Sequence, residues 1–305
     1  MQNTMIDTIV HAVGQVLLGK DDKIRMALAC MLARGHLLIE DLPGMGKTTF
    51  SHALAVVLGL SYKRIQFTSD MLPADIIGTN VFDAETQRFT LHPGPVFTQL
   101  LLADEINRSS PKTQSALLEA MEEHQVSIDG KTLPLPEPFF VIATQNPMHQ
   151  AGTYPLPESQ LDRFLMQISL GYPDPAVEKR LYQGENPREK IRDMKPLVAL
   201  EDWLALQASV QQIHVSNSVI EYVQRLVDFT RHSGECQWGL SPRASVGLIQ
   251  AGRAWALIHK RQHVLPEDIQ AVFGPVVSHR LRHQMRGGVQ VDAARVILDK
   301  VDVLG

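Results

Sequence analysis

The chain has 305 residues, of which 44% are hydrophobic and 20% are charged, and its formal net charge is −4 at pH 7. This composition is ordinary for a globular protein, and the slight negative charge argues against a general binder of nucleic acid or anionic membranes. The length predicts two domains. The apolar runs fall short of the roughly 18 residues that a membrane span needs, and residues 1–7 lack the basic start of a signal peptide. We therefore expect a cytoplasmic protein without membrane insertion.

Hydrophobic spacing predicts alternating helices and strands along the first half of the chain. A helix is predicted over residues 21–34, then a strand over 36–40, then a helix from Lys47 to about Leu58. Further strands are predicted at residues 62–67, 100–103, 139–143 and 164–170, with a helix over 115–122. Strands that alternate with helices indicate an α/β fold with a parallel sheet flanked by helices.

Two hairpins are predicted to interrupt this alternation. Residues 68–94 contain two short extended stretches joined by Asp83–Gln87, which predict a projecting hairpin. In residues 125–133 the dipeptide Asp129-Gly130 separates two further stretches, and it is a strong signal for a tight two-residue turn.

Strand patterns nearly vanish beyond residue 171. The cluster Gly171–Pro175 is typical of a chain leaving a sheet. Helices are then predicted at residues 200–213, 216–233, 241–260, 266–273 and 291–302. The sequence therefore predicts an α/β core over residues 1–190 and an all-α lid domain over residues 191–305.

The segment Ile39–Thr49 follows a buried strand and leads into a helix. Its glycines, Gly44 and Gly46, permit a turn whose backbone N–H groups point at an anion, and the helix dipole favours negative charge there. Lys47 can reach the outer phosphates of a nucleotide, and Thr48 supplies the hydroxyl that such loops place on Mg²⁺. The segment departs from the G-x-x-x-x-G-K-[ST] pattern because residue 41 is Asp. The alternative is a glycine-rich loop with a surface lysine.

Two acidic residues close the apolar strand at residues 100–103. A carboxylate at this position can hold Mg²⁺ through water, and its neighbour can activate an attacking water molecule. We assign Asp104 to the metal and Glu105 to the general base. An acidic strand end at a surface turn is the alternative.

Three further polar residues lie at the ends of predicted elements. Asn146 follows the strand at 139–143 and can orient the lytic water or contact the γ-phosphate. Arg163 precedes the fifth strand and Arg243 begins a helix, positions that suit a guanidinium presented to phosphate. An ordinary turn asparagine and two surface arginines are the alternatives.

The order of these motifs resembles the MoxR family of AAA+ ATPases, in the clade with an insert at helix two. The resemblance covers nearly the whole chain and rests on Leu18–Lys20, Pro43–Thr48, Leu102–Arg108, Ala143–Pro147, Tyr154–Glu158, Leu161–Phe164 and Ser241–Arg243. It implies that the hairpin region at 68–94 is the insert and that residues 125–133 form the pre-sensor hairpin.

The resemblance also gives roles to particular residues. It implies that Lys47 and Thr48 are the Walker A residues and that Asp104 and Glu105 are the Walker B residues. Asn146 would be sensor 1, Arg163 the arginine finger for the neighbouring subunit, and Arg243 sensor 2. The expected contacts to ATP are Gly19, Lys20, Pro43, Gly44, Met45, Gly46, Lys47, Thr48 and Thr49, and those to Mg²⁺ are Thr48 and Asp104. Lys20 stands where the family more usually has glutamine.

The function that the resemblance implies is ATP hydrolysis in a ring, most simply a hexamer, that remodels client proteins or assists their assembly or cofactor insertion. Family members act with partners that carry a von Willebrand factor A domain. This chain lacks the Asp-x-Ser-x-Ser metal motif of such a domain, so we expect the partner to be a separate polypeptide.

A nucleic-acid motor of the helicase type is the alternative function. Such a motor needs basic residues on the hairpins that line its pore. The hairpin at 125–133 offers Lys131 beside Asp129, and the insert offers Arg88 among several acids, so direct nucleic-acid binding is not expected. A GTPase or a small-molecule kinase is disfavoured because the chain lacks an Asn-Lys-x-Asp guanine motif and because those folds have no use for a helical lid with Ser-Pro-Arg.

Overall fold

The computed structural model of the protein describes residues 2–146, 153–184, 186–281 and 293–303. Pro147, which ends one motif of the sequence analysis, and residues 291 and 292 of the last predicted helix lie outside the described residues. The strands are β1 (His36–Glu40), β2 (Tyr62–Gln66), β3 (Gly78–Asp83), β4 (Arg88–Pro93), β5 (Leu100–Asp104), β6 (Gln125–Ile128), β7 (Lys131–Pro134), β8 (Phe140–Gln145) and β9 (Phe164–Ile168).

Five strands form one parallel sheet in the order β2-β5-β8-β1-β9. The side chains of β5, an interior strand of the sheet, are buried along its whole length, as expected for a strand covered by helices on both faces. In a parallel sheet the carboxyl ends of all strands lie at one edge, so the ends of β1, β5 and β8 are neighbours. The α/β fold class with a helix-flanked parallel sheet is confirmed.

Apart from a 3₁₀ turn at Ile106–Arg108, α-helices account for the rest of the regular structure in the described ranges. They are α1 (Gln2–Gly14), α2 (Asp21–Leu32), α3 (Lys47–Val57), α4 (Pro73–Ile77), α5 (Pro111–Glu123), α6 (Glu158–Leu161), α7 (Pro175–Tyr182), α8 (Pro187–Asp193), α9 (Leu200–Val210), α10 (Asn217–His232), α11 (Pro242–Ile258), α12 (Pro266–Val277) and α13 (Ala293–Lys300). Within these ranges, every helix is too short or too polar to cross a membrane. Helices α1, α4, α6, α7 and α8 are additions to the sequence prediction.

Both predicted hairpins are present. The strands β3 and β4 pair through Asp83 and Arg88 next to the turn, and β6 pairs with β7 in the same antiparallel way. Asp129 and Gly130 have φ angles of 49° and 78°, the positive values that a tight two-residue hairpin turn requires. The predicted insert is more than a hairpin, because α4 precedes β3.

Serine side chains define where three helices begin. The hydroxyl oxygens of Ser110, Ser216 and Ser241 accept hydrogen bonds from the backbone N–H groups at the starts of α5, α10 and α11. Such caps satisfy donors that have no partner inside the helix. The cap at Ser241 fixes where α11 begins and therefore places Arg243 in the first turn of that helix.

The C-terminal helices pack directly onto the sheet domain. Leu28 of α2, Trp203 of α9, Leu248 of α11 and Phe273 of α12 are all fully buried in one continuous apolar cluster. The all-α character predicted for the end of the chain is confirmed for the described residues. The predicted boundary between residues 190 and 191 falls inside α8, and the division at that point stays a prediction.

The first residue of β1, His36, is a fully buried histidine held in one tautomer. Its Nδ1 accepts a hydrogen bond from the N–H of Val141 at 3.1 Å, so Nε2 carries the proton and donates to the carbonyl of Met121 at 3.1 Å. Burial lowers the pKa of this imidazole to about 4, against the partial opposing effect of the Met121 hydrogen bond.

We expect His36 to make the fold acid-sensitive. At pH 5 the His36 imidazole is mostly protonated in the unfolded chain, where its pKa is near the ordinary value of about 6.5, and mostly neutral in the folded chain. The free energy of unfolding should therefore fall by about 2 kcal/mol between pH 7 and pH 5 through this residue alone. Urea unfolding at the two pH values measures the difference, which should shrink in His36→Gln and persist in the exposed-site control His92→Gln. Equal pH dependence in all three proteins would contradict the assignment.

Candidate functional site

A cavity of about 600 Å³ lies at the carboxyl edge of the sheet. It is bounded by the loop between β1 and α3, by the ends of β5 and β8, and by the chain that leads from β9 into α7 and α8. Of the predicted site residues, those that line it are Lys20, Pro43, Gly44, Met45, Gly46, Lys47, Thr48, Thr49, Asp104, Glu105 and Asn146. The structure thus brings together residues that are up to 126 positions apart in the chain.

The loop from β1 to α3 has the geometry of an anion-binding turn. Gly44 and Gly46 have φ angles of 87° and 86°, which side chains rarely permit, and α3 begins directly after the second glycine. The N-terminus of α3 therefore faces the cavity with its unpaired N–H groups and the positive end of its dipole.

Lys47 is the buried cation of this loop. Its Nζ donates a hydrogen bond to the carbonyl oxygen of Asp41 at 2.7 Å. Burial lowers the pKa of Lys47, and the carboxylates of Asp41, Asp104 and Glu105 oppose that shift. Because this ammonium group also lines the cavity, it can turn from the Asp41 carbonyl to the phosphates of a nucleotide bound there.

Asp41, which stands where the phosphate-loop pattern has glycine, ties the loop to the end of β9. Its Oδ1 accepts a hydrogen bond from the Ser169 hydroxyl at 2.7 Å, and its carboxylate also accepts from the N–H groups of Leu170 and Gly171. Asp41 is not among the residues with a positive φ angle in the described part of the chain, so its backbone conformation does not require glycine. The departure from the pattern thus has a structural use.

Asp104 ends β5 in a nearly buried position. Its Oδ1 accepts a hydrogen bond from the Thr144 hydroxyl at 2.6 Å, and its Oδ2 accepts two from the guanidinium of Arg64, at 2.7 and 3.1 Å. The same Thr144 oxygen accepts from the backbone N–H of Glu105 at 2.8 Å. One hydroxyl of β8 therefore fixes both acidic residues at the end of β5.

Glu105 is held by side chains from two neighbouring strands. Its Oε1 accepts from the amide of Asn146 at 3.0 Å, and its Oε2 accepts from the amide of Gln66 at 2.9 Å and pairs with Arg108 at 2.7 Å. The backbone of Glu105 has φ 55° and ψ 48°, a left-handed conformation that costs a non-glycine residue about 1–3 kcal/mol. Strain of this kind is concentrated at functional sites.

The far end of the cavity is apolar. Val16 and Leu17 from the chain after α1 face Val177 and Leu181 of α7, which suits the planar base of a nucleotide. Lys20 donates a hydrogen bond through Nζ to the carbonyl oxygen of Tyr172 at 2.7 Å. Gly19 adjoins Lys20, with φ 70°, but is not among the lining residues of the described chain.

The two predicted arginines share one carboxylate, that of Glu122, and do not line the cavity. Arg163 pairs through Nε with Oε2 of Glu122 at 2.9 Å, and Arg243 pairs with the other oxygen, Oε1, of the same carboxylate. Glu122 lies on α5 and Arg243 on α11, so this carboxylate joins the sheet domain to the helices that follow it. The roles of both arginines stay predictions.

Sequence reasoning missed Arg64 and Gln66, which line the cavity beside the acidic pair. Both belong to the predicted strand β2, and their spacing of two residues places them on one face of it. The register that pairs Gln66 with Asp104 across the sheet is what brings them to the site. Thr144, which lies within the predicted motif at Ala143–Pro147, was given no role either.

Comparisons with known proteins agree with this geometry. Residues 36–166 match the family model of the ATPase family associated with various cellular activities (AAA), and residues 228–297 match the AAA lid domain. An uncharacterized protein, YeaC, of Bacillus subtilis is 44% identical over 98% of this chain and 95% of its own length. The chaperone MoxR1 of Mycobacterium tuberculosis is 41% identical over 90% of this chain and 75% of its own length.

A solved structure extends the similarity to three dimensions. The crystal structure of a candidate ATPase from Cytophaga hutchinsonii superposes with a TM-score of 0.89, at 36% sequence identity, over 99% of this chain and 95% of that one. The similarity to YeaC and to this solved structure therefore extends over nearly the whole chain. The chain belongs to the MoxR family of AAA+ ATPases.

Proposed function

We propose that this MoxR-like ATPase hydrolyses ATP in a Mg²⁺-dependent reaction, within a ring that is most simply a hexamer, in the cytoplasm. The energy of hydrolysis is used to remodel a client protein or to assist its assembly or cofactor insertion. The partner is a separate protein with a von Willebrand factor A domain. The similarity to the chaperone MoxR1 supports action on other proteins.

The observation that carries the proposal is the convergence of two kinds of group on one cavity. The glycine turn, the start of α3 and Lys47 provide the positive side, where phosphates bind. Glu105 and Asn146, joined by a 3.0 Å hydrogen bond, provide a basic carboxylate and an amide on the opposite side. Phosphoryl transfer to water needs these two sides and little covalent chemistry from the protein.

The residues at the cavity fit a magnesium ion. The Thr48 hydroxyl and the Asp104 carboxylate line the same space, and hard oxygen donors beside nucleotide phosphates are what Mg²⁺ prefers. When bound with ATP, the ion supplies positive charge that neutralises the phosphate oxygens.

The chain's own side chains do the remaining work. Glu105 accepts the proton of the attacking water, and the Asn146 amide keeps the carboxylate oriented and can contact the same water. Lys47 leaves the Asp41 carbonyl for the outer phosphates. Arg163 of one subunit completes the site of the next, and Arg243 signals the state of the nucleotide to the C-terminal helices.

The insert hairpin supports a protein client over a nucleic acid. Phe82 and Phe89 lie side by side on β3 and β4, with ring centroids 5.2 Å apart, and both are exposed. The charges between them, Asp83, Glu85 and Arg88, give the hairpin two acids for one base. Such a tip offers apolar contact but no net attraction to a phosphate backbone.

Binding of ATP should depend on Lys47. Lys47→Ala removes the one buried side-chain cation that the loop contributes, and we expect affinity to fall about 10–100-fold, as for the loss of a hydrogen bond to a charged group. Equilibrium titration with a fluorescent ATP analogue measures this. Lys63→Ala, at an exposed lysine on β2, the strand that follows α3 in the chain, is the matched control. Unchanged affinity in a folded Lys47→Ala protein would remove the basis of the proposal.

A further inference from the structure

Arg64 is hydrogen-bonded to Asp104, the carboxylate that the proposed function assigns to the metal ion. Its Nε and Nη2 donate to Oδ2 of Asp104 at 3.1 and 2.7 Å, while Oδ1 of that carboxylate accepts from Thr144. The Asp104 side chain is 10% exposed and that of Arg64 is 46% exposed. Both oxygens of Asp104 are therefore satisfied by groups of the chain itself.

The same guanidinium reaches the second acidic residue through a glutamine. Nη2 of Arg64 also donates to Oε1 of Gln66 at 2.9 Å, and this contact turns the amide nitrogen of Gln66 towards Oε2 of Glu105, also at 2.9 Å. Arg64, Gln66, Asp104 and Glu105 thus form one continuous hydrogen-bonded chain along the ends of β2 and β5.

We propose that Arg64 is an internal competitor of Mg²⁺ at Asp104. This inference rests on the proposed function, because it assumes that Asp104 serves the metal ion that accompanies ATP. Two cations at hydrogen-bonding distance from one carboxylate oxygen repel each other. Binding of Mg²⁺ at Oδ2 of Asp104 therefore requires the hydrogen bonds from Arg64 to that oxygen to break. The half-exposed guanidinium can leave Asp104 for solvent or cavity at small cost.

The competition sets the Mg²⁺ concentration that the site needs. If Arg64 merely supported the structure of Asp104, its removal would weaken the use of Mg²⁺. A competitor has the opposite effect, because its removal makes the metal easier to bind. Arg64 acts on the metal through Asp104, and the sign of the change in the Mg²⁺ requirement separates competition from structural support.

The test is a Mg²⁺ titration of the binding of a fluorescent ATP analogue to the full-length protein. Arg64→Met keeps an unbranched apolar side chain in place of the arginine stem and removes the guanidinium donors. We expect the half-saturating Mg²⁺ concentration to fall about fivefold, the change that corresponds to a partly exposed ion pair. Arg64→Lys keeps the charge but not the paired contact, and it should give a smaller fall in the same direction.

Arg108→Met is the matched control, because it removes one arginine from the other acidic residue, Glu105. It should move the half-saturating concentration by less than about twofold. A rise or no change in both Arg64 variants, or an equal fall in Arg108→Met, would overturn the inference while leaving the ATPase proposal intact. Failure of the parent protein to bind the analogue at any Mg²⁺ concentration would instead overturn the proposed function, and the inference with it.

Discussion

Glu105→Gln is expected to bind ATP and to turn it over about 10²–10⁴-fold more slowly than the parent protein, the range for loss of a general base. Glutamine has the shape of glutamate, and its amide oxygen can still accept a hydrogen bond from Gln66 or Asn146, but the amide cannot accept the proton of a water molecule. Glutamate and glutamine place the same steric demand on the main chain, so we expect the left-handed backbone at residue 105 to persist in the variant. Phosphate release measured beside nucleotide binding distinguishes lost chemistry from lost affinity.

The control for this prediction is Glu40→Gln. Glu40 ends β1, which lies two strands away from β5 in the sheet, and accepts hydrogen bonds from Gln145 and Gln167, but it is not among the cavity-lining residues of the described chain. The same chemical change at that position should leave turnover within about threefold of the parent, as for a substitution away from the reacting atoms. Hydrolysis by Glu105→Gln at the parental rate would show that the base lies elsewhere.

Mixing two inactive variants is expected to restore part of the ATPase activity. Arg163→Ala removes the guanidinium predicted to act in the neighbouring site, a contribution of about 10³–10⁵-fold in well-measured GTPases. Lys47→Ala disables the site of its own subunit. A mixed ring contains interfaces at which an intact Lys47 meets an intact Arg163, so activity should return in proportion to the number of such interfaces.

A second mixture provides the control for shared sites. Lys47→Ala and Glu105→Gln both change residues that a subunit contributes to its own site. Every site in a mixed assembly therefore lacks either Lys47 or Glu105, and activity should stay low. Mass spectrometry of the mixtures shows whether both chains enter one assembly. Full activity of Arg163→Ala alone, or no recovery in confirmed mixed assemblies, would contradict completion of the site in trans.

The sequence was most informative where function needs local chemistry. Gly44, Gly46 and Lys47 lie within four consecutive residues, and Asp104 follows directly on a fully apolar strand, so a glycine turn and an acidic strand end were predictable from neighbours alone. The alternation of strands and helices likewise indicated the parallel sheet. Helix α1 was absent from the prediction although Ile6 and Val10 show helical spacing within it.

What the sequence did not predict depends on pairing between distant segments. The contact of Arg64 with Asp104 follows from the register of β2 against β5, and no pattern within either strand encodes that register. Glu122 meets Arg163 and Arg243 because three elements separated by up to 121 residues converge. Polar side chains at such meeting points look like ordinary surface residues until the fold is known.

The carboxylate of Asp41 has a consequence for how phosphate loops are searched for. A pattern that insists on glycine at the first position would reject this chain, although Gly44 and Gly46 already make the turn. Here the first position contributes a side chain, which accepts the backbone N–H groups of Leu170 and Gly171. A search suited to such loops would pair an acidic residue after the first strand with a strand end more than a hundred residues later.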